Sequence, residues 1–202
     1  MRPLSIEGAW VRTPAVHHDE RGRFHEWLRA DEFGAAVGRP PRPAQANCSV
    51  SRKGTVRGIH FTDVPPGQAK YVSCVRGAVL DVVVDLRRGS PAYGTWEAVR
   101  LDAAEGTALH LSEGLGHAFC ALTDDATVVY LCSTGYQPLR EHAVDPFDAD
   151  LAIDWPRDAA PLLSPKDAAA PSLREAERQG ILPSYDDCRR LRGALPGAER
   201  TA

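Results

Sequence analysis

A chain of 202 residues with a formal net charge of −3 and a sequence pI near 6.2 is sized for one domain with a well-buried core, and it lacks the global basic field that draws in nucleic acid. Its longest apolar runs, such as residues 78–84 with Asp81 inside, fall well short of the roughly 20 residues of a membrane helix. Residues 1–7 lack the apolar core and small-residue cleavage site of a signal peptide, which predicts a cytoplasmic protein.

Residues 5–16 alternate loosely around Ile6, Trp10 and Val11 and predict one or two short strands. Residues 17–27 then form a polar turn running into an aromatic strand. Arg21, Arg23 and Phe24 could there grip an anion and stack a flat ring, or the segment could be a solvated turn with one buried aromatic. Phe33 and Val37, four apart with Gly38 behind, predict one or two helical turns that Pro40, Pro41 and Pro43 end. Residues 44–50 resume as a strand that puts Gln45 and Asn47 on one face.

Residues 57–70 read as a site rather than a core. Arg57, His60 and Lys70 fall within fourteen residues, with Gly58, Pro65, Pro66 and Gly67 bending the backbone between them. Arg57 suits a phosphate or carboxylate, His60 takes a proton near neutral pH, and Lys70 stabilises a developing negative charge. A base beside an anion stabiliser is what enolate chemistry requires.

Residues 70–75 lead through Gly77 to residues 78–86, where Leu80, Val82, Val84 and Leu86 share one face and Val79, Asp81, Val83 and Asp85 the other. Strands follow at 96–101 and 108–111, and residues 113–119 are expected to bend tightly into 120–122. Residues 127–133 alternate again, with Val128, Tyr130 and Cys132 on one face. Many short strands separated by Gly, Pro and Asp turns predict an all-β fold, a jelly-roll barrel.

The C-terminal third is turn-rich, with residues 164–167 heading a linker. Ser172 and Glu175 form a capping box, so residues 173–179 are expected to be a short helical segment stopped by Gly180. One domain over residues 1–185 and a tail over 186–202 result, the tail's Arg, Gly and Ala from Arg189 onward predicting disorder. Cys48, Cys74, Cys120, Cys132 and Cys188 are odd in number and widely spaced, which predicts reduced thiols, most of them core fillers.

At Arg57-Gly-Ile-His60, Pro66-Gly-Gln-Ala-Lys70, Gly116-His117-Ala-Phe119 and Ser164-Pro-Lys166-Asp167 the sequence resembles the dTDP-4-dehydrorhamnose 3,5-epimerase family, cupin-type enzymes that act on dTDP-4-keto-6-deoxy sugars without a cofactor. The resemblance runs from about residue 5 to 185, and residues 175–185 place it nearest the antibiotic deoxysugar branch, some of whose members invert only C3. It implies His60 as base, Asp167 as the carboxylate orienting it, Tyr130 as acid on the opposite sugar face and Lys70 at the enolate oxygen, with His117 close by. It further implies diphosphate contacts for Arg21 and Arg57, and nucleotide or sugar contacts for Phe24, Glu26, Gln45, Asn47, Tyr136, Glu141 and Lys166. Family members are homodimers with exchanged N-terminal strands, so Arg21 and Phe24 could serve either subunit's site. Arg23, His25 and Thr62 depart from the family pattern, Thr62 close to the reacting sugar.

The expected activity is therefore an isomerase, inverting C3 of dTDP-4-keto-6-deoxy-D-glucose, with inversion at both C3 and C5 as the alternative. A ketoisomerase on the same fold begins with the same deprotonation. A metal-dependent cupin dioxygenase or isomerase would want two closely spaced histidines, and Thr62 leaves no H-x-H pair at His60.

Overall fold

The computed structural model describes residues 1–194; the last part of the expected disordered tail, 195–202, lies outside the described residues. Among the described residues, thirteen strands and four α-helices follow in order. The first part of the chain comprises β1 (Arg2–Pro3), β2 (Ala9–Arg12), β3 (His17–Asp19), β4 (Gly22–Phe24), α1 (Ala30–Val37), β5 (Gln45–Ser51) and β6 (Val56–Thr62). Next come β7 (Lys70–Arg76), β8 (Ala78–Asp85), β9 (Trp96–Asp102), β10 (Ala108–Leu111), β11 (Leu115–Ala121), β12 (Ala126–Cys132) and β13 (Glu141–Ala143). α2 (Pro165–Ala168), α3 (Leu173–Arg178) and α4 (Tyr185–Ala194) close the chain.

Two antiparallel sheets face each other, in the orders β1-β2-β10-β7-β12-β5 and β13-β6-β11-β8-β9, while β3 and β4 form a separate hairpin. This is the all-β jelly-roll arrangement the strand pattern predicts. The core between the sheets joins Val72, Cys74 and Val128 of the first to Val79, Val83, Leu101 and Phe119 of the second. Outside the second sheet, Ile59, Phe61, Val82 and Val84 pack against Leu151, Trp155, Leu173 and Ala176. Both faces of β8 are thus covered, which is why its alternating residues are apolar on either side. α1 covers part of the first sheet through Phe33 on Tyr71, and Gly38 ends it in the left-handed conformation.

Three expectations are corrected. Residues 57–62 belong to β6, a strand with a local irregularity at Gly58, and the chain leaves the sheet only after Thr62. Residues 115–121 form an uninterrupted strand, the turn being confined to residues 113–114, because the glycine at 116 permits close packing on Ile59 and Leu86. The tail is ordered to residue 194: α4 packs with Cys188 buried, and Tyr185 and Arg192 both bond Glu7. Four of the five cysteines are buried and Cys48 is exposed, as free thiols.

Candidate active site

The site is built on inward-facing residues at one end of the barrel. Across the first sheet, Gln45, Cys132 and Lys70 lie in one row and Asn47, Tyr130 and Val72 in the next. Antiparallel pairing with side chains alternating between faces aligns each row on the same side.

The second sheet contributes Arg57 and His60 through an irregularity. Strict alternation would send residues three apart to opposite faces. On β11, however, His117 pairs with His60 and Phe119 with Arg57, so two residues, Gly58 and Ile59, oppose the single Ala118. The extra residue is a β-bulge, and it turns both Arg57 and His60 inward. Gly58 has φ of 123°, and a Cβ there would come within 2.5 Å of Ala118, so the position has room only for glycine.

Asp167 reaches this sheet from α2. Ser164 caps that single helical turn by accepting a hydrogen bond from the Asp167 backbone N–H, and Pro165 occupies its first position. Asp167 Oδ1 lies 2.6 Å from His60 Nε2. The carboxylate is almost wholly buried, whereas 34% of the His60 side chain is exposed. A carboxylate accepting from Nε2–H assigns the neutral ring the tautomer with its lone pair on Nδ1, the atom free to take a proton. Burial raises the Asp167 pKa, but the hydrogen bond and charge of His60 and the Ser164 hydroxyl outweigh it and leave the carboxyl below its ordinary value.

These elements enclose a cavity of about 240 Å³ lined by Gln45, Asn47, Arg57, His60, Gln68, Lys70, Tyr130, Tyr136, Glu141, Ser164, Lys166 and Asp167. Arg57, Lys70 and Lys166 against Glu141 and Asp167 make it net cationic, suited to an anionic ligand. Lys70 is 8% exposed, and burial lowers its pKa despite the nearby Cys132, Glu141 and Asp81. Burial moves the Tyr130 phenol the other way, keeping it protonated to higher pH. The Gln45 and Asn47 side chains hold each other at 2.8 Å, and Gln45 Oε1 accepts the Tyr136 backbone N–H.

Ten of the sequence-predicted site residues therefore converge on one cavity. Arg21, Phe24 and Glu26 do not: the first two lie on the exposed β3–β4 hairpin and its turn, Arg21 bonded to Asp19 and Phe24 66% exposed, while Glu26 pairs with Arg29. His117 is the neighbour of His60 in the sheet, but its Nε2 turns to Asp81 at 2.9 Å in the interior. Away from the cavity, His17 and His18 are exposed, His110 is buried and His142 pairs with Asp63.

Sequence reasoning missed Gln68, Ser164 and the pairing role of Asp81. Gln68 bonds the Thr134 carbonyl, a long-range contact without a local pattern. Ser164 was legible in principle, since Ser-Pro-x-Asp is an N-cap pattern. So was Asp81, an acid between Val79 and Val83 on one strand face.

The family model described as dTDP-4-dehydrorhamnose 3,5-epimerase matches residues 3–175. The chain belongs to this family. It is 60% identical over 185 residues to a dTDP-4-dehydro-6-deoxyglucose 3-epimerase from Streptomyces bikiniensis, covering 92% of this chain and 94% of the relative. A dTDP-4-dehydrorhamnose 3,5-epimerase from Streptomyces griseus is 54% identical over 195 residues, 96% of this chain and 97% of the relative. Among solved structures, NovW, a 4-keto-6-deoxy sugar epimerase from the novobiocin biosynthetic gene cluster of Streptomyces spheroides, superposes with a TM-score of 0.91 at 60% identity, covering 93% of this chain and 94% of that one. The epimerase chemistry of the family is thus the frame for the cavity's acid–base groups.

Proposed function

We infer that this enzyme inverts C3 of dTDP-4-keto-6-deoxy-D-glucose, in deoxysugar biosynthesis of the antibiotic type. The observation that carries the reading is the His60–Asp167 pair opening on the same cavity as Lys70 and Tyr130; the choice of C3 rests on the 60% identity to a 3-epimerase. A proton next to the C4 ketone is acidic because the carbanion spreads onto oxygen, so catalysis needs a group for that oxygen. Lys70 supplies it. His60 Nδ1 removes the C3 proton, and the imidazolium that forms is stabilised by Asp167. Tyr130 returns a proton to C3 on the opposite face and recovers its own from solvent. Each positioned acid or base contributes roughly 10²–10⁴-fold.

Arg57 and Lys166 take the diphosphate and adjoining sugar, and Gln45, Asn47, Tyr136 and Glu141 surround the rest of the nucleotide sugar. His117 supports the reacting end from behind His60. The reading extends to a cytoplasmic homodimer in which the β3–β4 hairpin brings Arg21, Phe24 and Glu26 to the site of a second copy. Its support is the hairpin's exposure and the free edge of β5, where Val50 is 59% exposed.

Proton NMR of the substrate with enzyme in deuterium oxide, following C3 and C5 separately, tests the reaction. Loss of the C3 signal alone, with an inverted product, is expected. Exchange at both carbons with a rhamno-configured product would instead establish the 3,5-epimerase activity named for the Streptomyces griseus relative. Tyr130→Phe should permit C3 exchange but impair inversion; normal inversion would reject Tyr130 as the acid.

A further inference from the structure

We propose that Ser164 is a positioning residue for catalysis: its hydroxyl locks the Asp167 carboxylate in the orientation that presents Oδ1 to His60. This rests on the reading of His60 as the base. The geometry is a closed set of bonds. Ser164 Oγ stands 3.1 Å from the Asp167 backbone nitrogen and 2.9 Å from Asp167 Oδ2, while Oδ1 stands 2.6 Å from His60 Nε2. A hydroxyl has one proton to give. Because Oγ accepts the N–H, its own proton is directed to Oδ2, and each carboxylate oxygen then has one dedicated donor.

Nothing else replaces this grip. Asp167 is 3% exposed, so water has little access to Oδ2, and among the described residues Ser164 is its hydrogen-bonding partner. Pro165, next in the chain, has no N–H to offer. α2 is a single turn of four residues, too short to hold Asp167 by its own backbone bonds. Ser164 also lines the cavity, so the hydroxyl sits at the edge of the reaction space without being one of its proton carriers.

Removing the hydroxyl has a signature that a capping role lacks. Without a donor on Oδ2 the carboxylate charge is less dispersed, and the His60–Asp167 pair binds its proton more tightly. Without that bond the carboxylate no longer fixes the ring that removes the proton, so exchange should slow even where His60 is neutral, and the acid limb of the rate profile should move to higher pH. Glycine retains most of the capping preference of serine, whereas alanine does not. Ser164→Gly thus separates orientation from capping.

The experiment measures deuterium exchange at C3 of dTDP-4-keto-6-deoxyglucose against pH for Ser164→Ala, Ser164→Gly and Ser164→Thr, with dTDP binding as a control. Alanine and glycine should both slow exchange roughly tenfold to a hundredfold, the range for loss of one hydrogen bond to a charged group. Both should shift the acid limb upward with dTDP affinity unchanged, and threonine should restore rate and profile. A wild-type rate and profile in the glycine variant would overturn the proposal, whether or not alanine is slow. His60→Asn, run alongside, separates the two readings. Exchange surviving in that variant removes His60 as base, whereas exchange lost there but normal in both Ser164 variants removes only the role of Ser164.

Discussion

His60–Asp167 and His117–Asp81 are the same pair of residue types, and their histidines face each other across neighbouring strands of one sheet. Yet 34% of the His60 side chain is exposed to the cavity, whereas the His117 side chain is 9% exposed and its Asp81 not at all. The first histidine shows an unbonded ring nitrogen to a ligand; the second is spent on satisfying a buried carboxylate. Chemistry of this kind is decided by which member of a pair meets solvent. Asp167 arrives from a helical turn outside the sheet and leaves His60 open on the inner side, while Asp81 stands on β8 inside the barrel and draws His117 with it.

Replacing the two histidines in turn breaks the comparison most sharply. His60→Asn should lower C3 proton exchange by roughly 10²–10⁴-fold with dTDP binding retained. His117→Asn should cost thermal stability first and exchange much less. Equal losses of exchange from folded variants would assign both pairs to proton transfer.

The two acids should differ in the opposite sense. Breaking a buried pair by removing one partner typically costs about 3–5 kcal/mol, so Asp81→Ala should lower the urea midpoint strongly. Asp167→Ala should unfold less readily, because the His60 it leaves behind meets solvent. A smaller stability loss for Asp81→Ala than for Asp167→Ala would reverse this assignment.

The bulge that sets His60 beside His117 offers a gentler perturbation. Gly58→Ala forces a Cβ against the Ala118 backbone and should cost about 1–3 kcal/mol as overpacking. It should depress exchange further than stability alone explains, since His60 turns with the bulge; unchanged exchange at equal stability would show that the bulge does not orient the ring.

The smallest effect concerns pH. Burial lowers the Lys70 pKa and raises that of Tyr130. An ammonium needed for the enolate is lost as pH rises through its pKa, so Lys70, not Tyr130, should set the alkaline limb. Lys70→Arg keeps the charge at all working pH values and, though slower, should push that limb upward; an unmoved limb would assign it elsewhere.

Much of the cavity was legible in the chain because charged or titratable residues stand out in apolar, alternating strands. Arg57, His60 and Lys70 announce themselves by type and by their Gly and Pro surroundings, and Gln45 and Asn47 by sharing a strand face, whereas Lys166, Asp167 and Tyr130 were singled out by the family resemblance. The alternation of β8 and β12 likewise specified an all-β fold. Helix α4 was not legible, since Arg, Asp and Gly carry little apolar helical pattern and its contacts include Glu7, nearly the whole chain away.

By itself, then, the sequence determined strand periodicity, the chemical kinds of groups available and the family to which they belong. The first two follow from local alternation and residue type, the family from its four motifs in order. Tertiary structure alone decided that Arg57 and His60, three apart, share one face, that Asp167 rather than Asp81 serves His60, and that the N-terminal hairpin stands away from its own cavity. Each depends on a bulge, a register or a long-range approach, and such pairings are set by which strands pack together, which no short stretch of sequence encodes.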